Sequence, residues 1–240
     1  MRALDLMFNI KITLLEEHFK LILRVSAVLS TLFLAYSCYL ITNAPEDYLQ
    51  GIYAKIMYVH VPLAWLSLLL YVAVAAAAFC FLIFKNPIFD MIAYAIAPIG
   101  LIYTLATLVT GAIWGKPTWG TWWVWDARLT SMLILFFIYF GYIALRTAHT
   151  SEERSATTSS LFAIIGLLNI PIIKFSVYLW NTLHQKSSIF GASGISIHST
   201  LLTPLITILL FFVFFTCILI TLRILNISYR RRSARLKLFY

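Results

Sequence analysis

The sequence predicts an all-α integral membrane protein with six transmembrane helices, and three observations carry that prediction. Apolar residues make up 62% of the 240 positions and charged residues only 11%, with a mean hydropathy of +0.91. So little polar surface would not cover a water-soluble domain of this length. Six stretches match the roughly 20 apolar residues that a helix needs to cross a bilayer. The basic residues, which bring the net charge to +9, flank those stretches unevenly. That unevenness suits membrane orientation better than nucleic-acid binding.

Taken in order, the first twenty residues are interrupted by Arg2, Asp5, Lys11, Glu16, Glu17 and Lys20, so they lack the apolar core of a cleavable signal and are expected to remain. The first span covers about 21–41. A polar loop with Glu46, Asp47, Gln50 and Lys55 follows. The second span, about 56–84, holds Pro62 near its start; a proline there is expected to bend the helix and free the Tyr58 carbonyl. Asn86-Pro87 separates it from the third span, about 88–113. An aromatic loop at about 114–128 leads into the fourth span, about 129–146. The fifth, about 157–179, contains Pro171 and Lys174, and the sixth, about 201–225, precedes Arg230, Arg231, Arg232, Arg235 and Lys237. The whole is expected to form one membrane domain over 1–240.

Six spans put both termini on one side. With the termini in the cytoplasm, thirteen basic residues lie on the inner side and five (Lys55, Lys116, Arg128, Lys174, Lys186) on the outer, which satisfies the positive-inside rule. The aromatic loop then faces outward, into the periplasm of a bacterium. Cys38, Cys80 and Cys217 stand alone in apolar runs without metal-ligand spacing.

The aromatic loop is the most informative segment. Trp114-Gly115-Lys116-Pro117-Thr118-Trp119-Gly120-Thr121-Trp122-Trp123-Val124-Trp125-Asp126 holds five of the seven tryptophans. Indole is apolar in its body and carries one N–H donor, so the run suits a wet-dry boundary or a large flat apolar ligand. Interfacial anchoring is the plainer alternative. Of the five histidines, His18 and His149 fall among charged inner residues and read as solvated. His60 lies near the outer end of the second span, on one helical face with Tyr53 and Met57; a structural hydrogen bond to a neighbouring helix is its alternative. His184 lies just past the fifth span, and His198 is a third outer histidine. Two of these on either side of a tryptophan surface suit a haem, whose iron takes axial imidazoles. Asp126 is placed to cap the fourth helix or to contact ligand or partner, and Arg128 to meet a haem carboxylate or lipid phosphate. Lys174 needs a partner or a watery cavity at its depth. Trp65 and Trp180 read as belt or core residues.

Trp119-Gly120-Thr121-Trp122-Trp123-Val124-Trp125-Asp126, followed by Ala127-Arg128-Leu129-Thr130, resembles the WWD signature of the haem-handling proteins of cytochrome c maturation. With six spans and an outer histidine on each side of the signature, the chain is similar end to end to the CcmC family. The resemblance implies a protein that binds haem b at the outer face of the bacterial inner membrane, or of an equivalent organellar membrane. It implies His60 and His184 as axial ligands, with Trp114, Trp119, Trp122, Trp123, Trp125, Asp126 and Arg128 around the porphyrin. It further implies transient binding and delivery to the haem chaperone CcmE, beside the small protein CcmD and the ABC transporter CcmA–CcmB, rather than an enzymatic activity. Glu46, Asp47, Gln50 and Lys55 are candidates for docking the chaperone, with loop solvation as the alternative. Two other classes compete: a haem-translocating transporter subunit, with Lys174, Pro98, Pro171 and Asn169 along its path, and a structural subunit whose tryptophans only anchor it.

Overall fold

A computed structural model describes residues 2–184 and 196–236. Among the described residues, seven α-helices supply six segments long and apolar enough to cross a membrane: α1 (Arg2–Asn43), α2 (Met57–Phe84), α3 (Pro87–Trp119), α4 (Ala127–Ala148), α5 (Glu152–Gly166) with α6 (Asn169–Leu179), and α7 (Ser199–Leu236).

The core forms between α2, α3, α4 and the α5–α6 pair, where Leu70, Tyr71, Val74, Tyr103, Leu135, Tyr139 and Tyr142 are buried. Two of its tyrosines find backbone acceptors in neighbouring helices. Tyr139 donates to the Ser67 carbonyl at 2.8 Å and Tyr71 to the Ala163 carbonyl at 2.9 Å, so these hydroxyls tie helices together without an unpaired group in an apolar interior. α1 packs mainly on α7 at the edge of the bundle, and over residues 17–43 most of its apolar side chains are exposed, as a lipid-facing helix requires.

Local sequence explains the boundaries. Lys85 ends α2 in the left-handed region (φ 52°), and Asn86 caps α3 through an Ile88 N–H bond to its side chain at 3.0 Å, with Pro87 in the first turn. The expected break at Asn86-Pro87 therefore stands.

Two expectations need correction. The aromatic loop was expected at about 114–128, but α3 continues to Trp119, leaving 120–126 as the irregular segment. Gly120 (φ 77°) ends the helix, its N–H reaching the Lys116 carbonyl at 3.0 Å, a left-handed cap that glycine adopts without steric cost. The fifth span is two helices rather than one, with turns at Leu167 and Leu168. Pro171 has no N–H for the Leu167 carbonyl and its ring crowds that carbonyl, so the helix restarts at Asn169. Pro98, by contrast, does not interrupt α3. Arg223 of α7 donates to the carbonyls of Ala95 (2.9 Å) and Tyr94 (3.5 Å), and Tyr94 is the residue whose carbonyl Pro98 leaves without a helical partner.

Candidate haem-binding site

At the end of the bundle where α3 finishes and α4 begins lies a cavity of about 290 Å³. α2 contributes Met57, His60 and Trp65, α3 contributes Thr107, Gly111, Trp114 and Trp119, and α4 contributes Arg128 and Met132. Trp123, Lys174 and His184 complete the mixed wall. Toward the opposite end the buried core closes it off, with Tyr71, Tyr103, Leu135 and Tyr139 filling the interior.

His60 and His184 both line this cavity, although 124 positions separate them in the chain. His60 sits in the first turn of α2. Its Nδ1 lies 3.1 Å from Thr110 Oγ1, and the hydroxyl hydrogen of Thr110 is already directed to the Ala106 carbonyl at 2.7 Å. The threonine oxygen is thus the acceptor and His60 Nδ1–H the donor. That tautomer leaves Nε2 with its lone pair, as a metal ligand needs. The ring fits against α3 because residue 111 is glycine: a Cβ there would stand 3.0 Å from His60 Cε1.

His184 lies beyond α6, with its ring against Trp119, centroids 4.8 Å apart at 64°. Burial pushes its pKa down to about 4, Arg128 acts the same way and Asp126 opposes. The imidazole is therefore neutral at pH 7, again the form that binds a metal. Asp126 holds the start of α4, its Oδ1 accepting the Leu129 N–H at 2.8 Å, so the expected cap is present. Its Oδ2 lies 3.7 Å from His184 Nδ1.

The five clustered tryptophans divide into two groups. Trp114, Trp119 and Trp123 line the cavity. Trp114 stands edge-on to His60 at 5.7 Å and donates from Nε1 to Gln50 Oε1 at 2.8 Å. Trp122 (57% exposed) and Trp125 (77%) turn outward and do not line it; Trp125 borders a shallow outer pocket with Asn181 and Thr182. Trp65, read as belt or core, is in the wall, whereas Trp180 is exposed. Met57 lines the cavity but Tyr53, expected on the same face, is exposed. His198 lies outside the cavity wall, with Nδ1 2.8 Å from Thr200 Oγ1 at the start of α7.

The polar loop before α2 is used locally. Asp47 Oδ1 accepts the N–H groups of Leu49 and Gln50, each at 2.9 Å. Lys55 Nζ reaches the Thr42 carbonyl at the end of α1, at 3.3 Å. Gln50 belongs to the cavity wall and Glu46 remains exposed. Sequence reasoning missed Gln50 as a cavity residue, Thr110 as the partner of His60, and Gly111 as the space for its ring. The spacing of Thr107, Gly111, Trp114 and Thr118 along one helical face was the available signal.

The residues fit a haem on three counts. Two imidazoles in the ligating tautomer or charge state face one cavity, indoles supply flat apolar walls, and Arg128 and Lys174 offer cations for its carboxylates. Buried polar atoms without a hydrogen bond also gather here: His184 Nδ1, Asp126 Oδ2 and Trp123 Nε1 are three of the five such atoms among the described residues. That is unusual for a finished interior.

Comparison with known proteins points to one family. Residues 11–238 match the model of the heme exporter protein C family, CcmC. A putative cytochrome c biosynthesis ccmC-like mitochondrial protein of Marchantia polymorpha is 53% identical over 194 residues, covering 79% of this chain and 82% of the relative. The heme exporter protein C of Bradyrhizobium diazoefficiens is 42% identical over 215 residues, 88% of this chain and 81% of its own. That of Escherichia coli K12 is 48% identical over 145 residues, 60% of this chain and 59% of its own. With the family match spanning nearly the whole chain, this protein belongs to the CcmC, heme exporter protein C, family.

Proposed function

We propose that the protein receives haem b in this cavity, at the outer face of a bacterial inner membrane or its mitochondrial counterpart, and passes it to a CcmE-type haem chaperone. The observation that carries the reading is the convergence of His60 and His184, from two distant elements, on one tryptophan-walled cavity. Bound haem supplies the iron to which two neutral imidazoles add and a broad apolar face for indole contact. His60, set on a packed helix, would hold the iron from one element, and His184 would hold it from the loop after α6. Trp114, Trp119 and Trp123 exclude water from the faces. Arg128 stands in the first turn of α4, where a helix dipole disfavours a cation; the carboxylates of a porphyrin make that placement favourable. Lys174 adds a second cation from α6.

Exposed Trp122, Trp125, Tyr48 and Leu49, with Glu46 of the same polar loop as Tyr48, are the residues we assign to chaperone docking. CcmD and the CcmA–CcmB transporter are the further partners of such a complex. Passage of haem through the bundle interior is the weaker reading, because buried Tyr71, Tyr103, Leu135 and Tyr139 close the route below the cavity. The test is the visible spectrum of the purified protein after addition of hemin. Wild type is expected to show low-spin six-coordinate haem, while His60→Ala and His184→Ala each convert it to a high-spin or empty form. Low-spin haem unchanged in both variants rules the ligand assignment out.

A further inference from the structure

Asp126 has two oxygens with different fates. Oδ1 caps α4 through Leu129 N at 2.8 Å. Oδ2 is buried, makes no hydrogen bond, and stands 3.7 Å from His184 Nδ1, which is also buried and unbonded. The two side chains are 9% and 21% exposed, so water reaches them poorly. A buried carboxylate oxygen and a buried ring nitrogen left unpaired side by side each carry a desolvation cost, of about 1–3 kcal/mol for an ordinary polar group and more for a charged one. A movement of about 1 Å brings the pair to the 2.7–2.9 Å of a charge-assisted bond and removes both costs.

We propose, on the basis of the haem reading above, that Asp126 is a positioning residue that acts on the iron through His184: the carboxylate accepts Nδ1–H, turns Nε2 toward the iron and makes the imidazole a stronger electron donor. His60 is held differently. Its Nδ1–H meets the neutral hydroxyl oxygen of Thr110, a weaker acceptor than a carboxylate. The two axial histidines are therefore unequal by construction, one backed by a neutral oxygen and one by an anion. A ligand hydrogen-bonded to an anion binds ferric iron more tightly and lowers its reduction potential. One aspartate thus couples the start of α4, the loop carrying His184 and the electron density at the metal.

Asp126→Asn separates this role from capping, because asparagine is as good an N-cap as aspartate while its amide lacks the charge. With hemin added to purified wild type and variant, the variant is expected to keep wild-type helix content and thermal stability. It should bind hemin roughly 10–100-fold more weakly, show a more positive midpoint potential, and change the g-values of its ferric low-spin signal. Asp126→Glu, which restores the charge, should return the potential toward wild type; it also serves should the asparagine variant fold poorly. An Asp126→Asn protein with unchanged potential and g-values overturns this inference alone. A wild-type protein that takes up no hemin overturns the haem reading and this inference together.

Discussion

At the scale of single residues, the site is built from pairs that meet across the fold. His60 depends on Thr110 and Gly111 of α3, and Trp114 depends on Gln50. The histidines, the tryptophans and Asp126 are legible in the sequence because their residue types are costly in a membrane segment or concentrated in a motif. Thr110, Gly111 and Gln50 are not, since a threonine, a glycine or a glutamine acquires meaning only from what faces it. His184 provides a pH prediction. Its pKa is near 6.5 when unfolded and about 4 when docked. Between those values the unfolded chain binds the extra proton, so acidification from about pH 6.5 toward 4 weakens the docked loop, and raising the pH restores it. Imidazolium quenches indole fluorescence on contact, and Trp119 lies against this ring. In haem-free protein a quenching step is expected with a midpoint near pH 4, and it should vanish in His184→Ala. A midpoint near 6.5 argues that the ring is solvated instead. Thr110→Val removes the hydroxyl acceptor of His60 Nδ1–H, at a cost of about 0.5–1.5 kcal/mol; a haem affinity equal to wild type in a titration contradicts the tautomer assigned to His60.

At the scale of elements, the divided fifth span shows how the chain handles irregular backbone at membrane depth. Freed polar groups near the break find partners: Tyr71 Oη donates to the Ala163 carbonyl at 2.9 Å, and Asn169 Nδ2 to the Ser131 carbonyl at 2.9 Å. Non-helical backbone survives in a membrane only when neighbours satisfy it in this way. The break also depends on close approach, since a Cβ on Gly166 would collide with the Tyr71 hydroxyl and Ile138 Cγ2. Gly166→Ala is expected to destabilise the protein by about 1–3 kcal/mol through overpacking, read as a lower thermal midpoint in detergent. Adding Tyr71→Phe should recover part of the loss by removing the nearest atom. Additive losses in the double variant contradict the proposed contact. Helix ends were legible where Asn86, Pro87 and Asp126 carry local chemistry. The support beneath Pro98 was not, because it comes from Arg223, 125 positions downstream.

At the scale of the whole molecule, the two ends of the bundle have opposite characters. α3 runs 33 residues, about 50 Å, from a buried ion cluster to the candidate haem cavity. In that cluster Arg146 binds Asp90 in a two-point fork at 2.8 Å, and Arg231 of α7 joins the same carboxylate at 2.9 Å. The surplus of arginine there fits the cytoplasmic side. Orientation is open to a direct test with a membrane-impermeant thiol reagent on right-side-out vesicles, after replacing the three native cysteines. A cysteine at exposed Tyr48, near the cavity rim, should label, and one at Thr150, between α4 and α5, should not; the reverse pattern inverts the topology. Hydropathy and charge order along the chain are sufficient for six membrane helices, because crossing a bilayer depends on the length and apolarity of each segment taken alone. The WWD signature likewise suffices to point to haem. What required the folded molecule was the sorting of five clustered tryptophans into three that wall a cavity and two that face outward, and the exclusion of His198 from the wall in favour of His60 and His184. Those outcomes depend on distances between helices remote in sequence, and no local pattern encodes such distances.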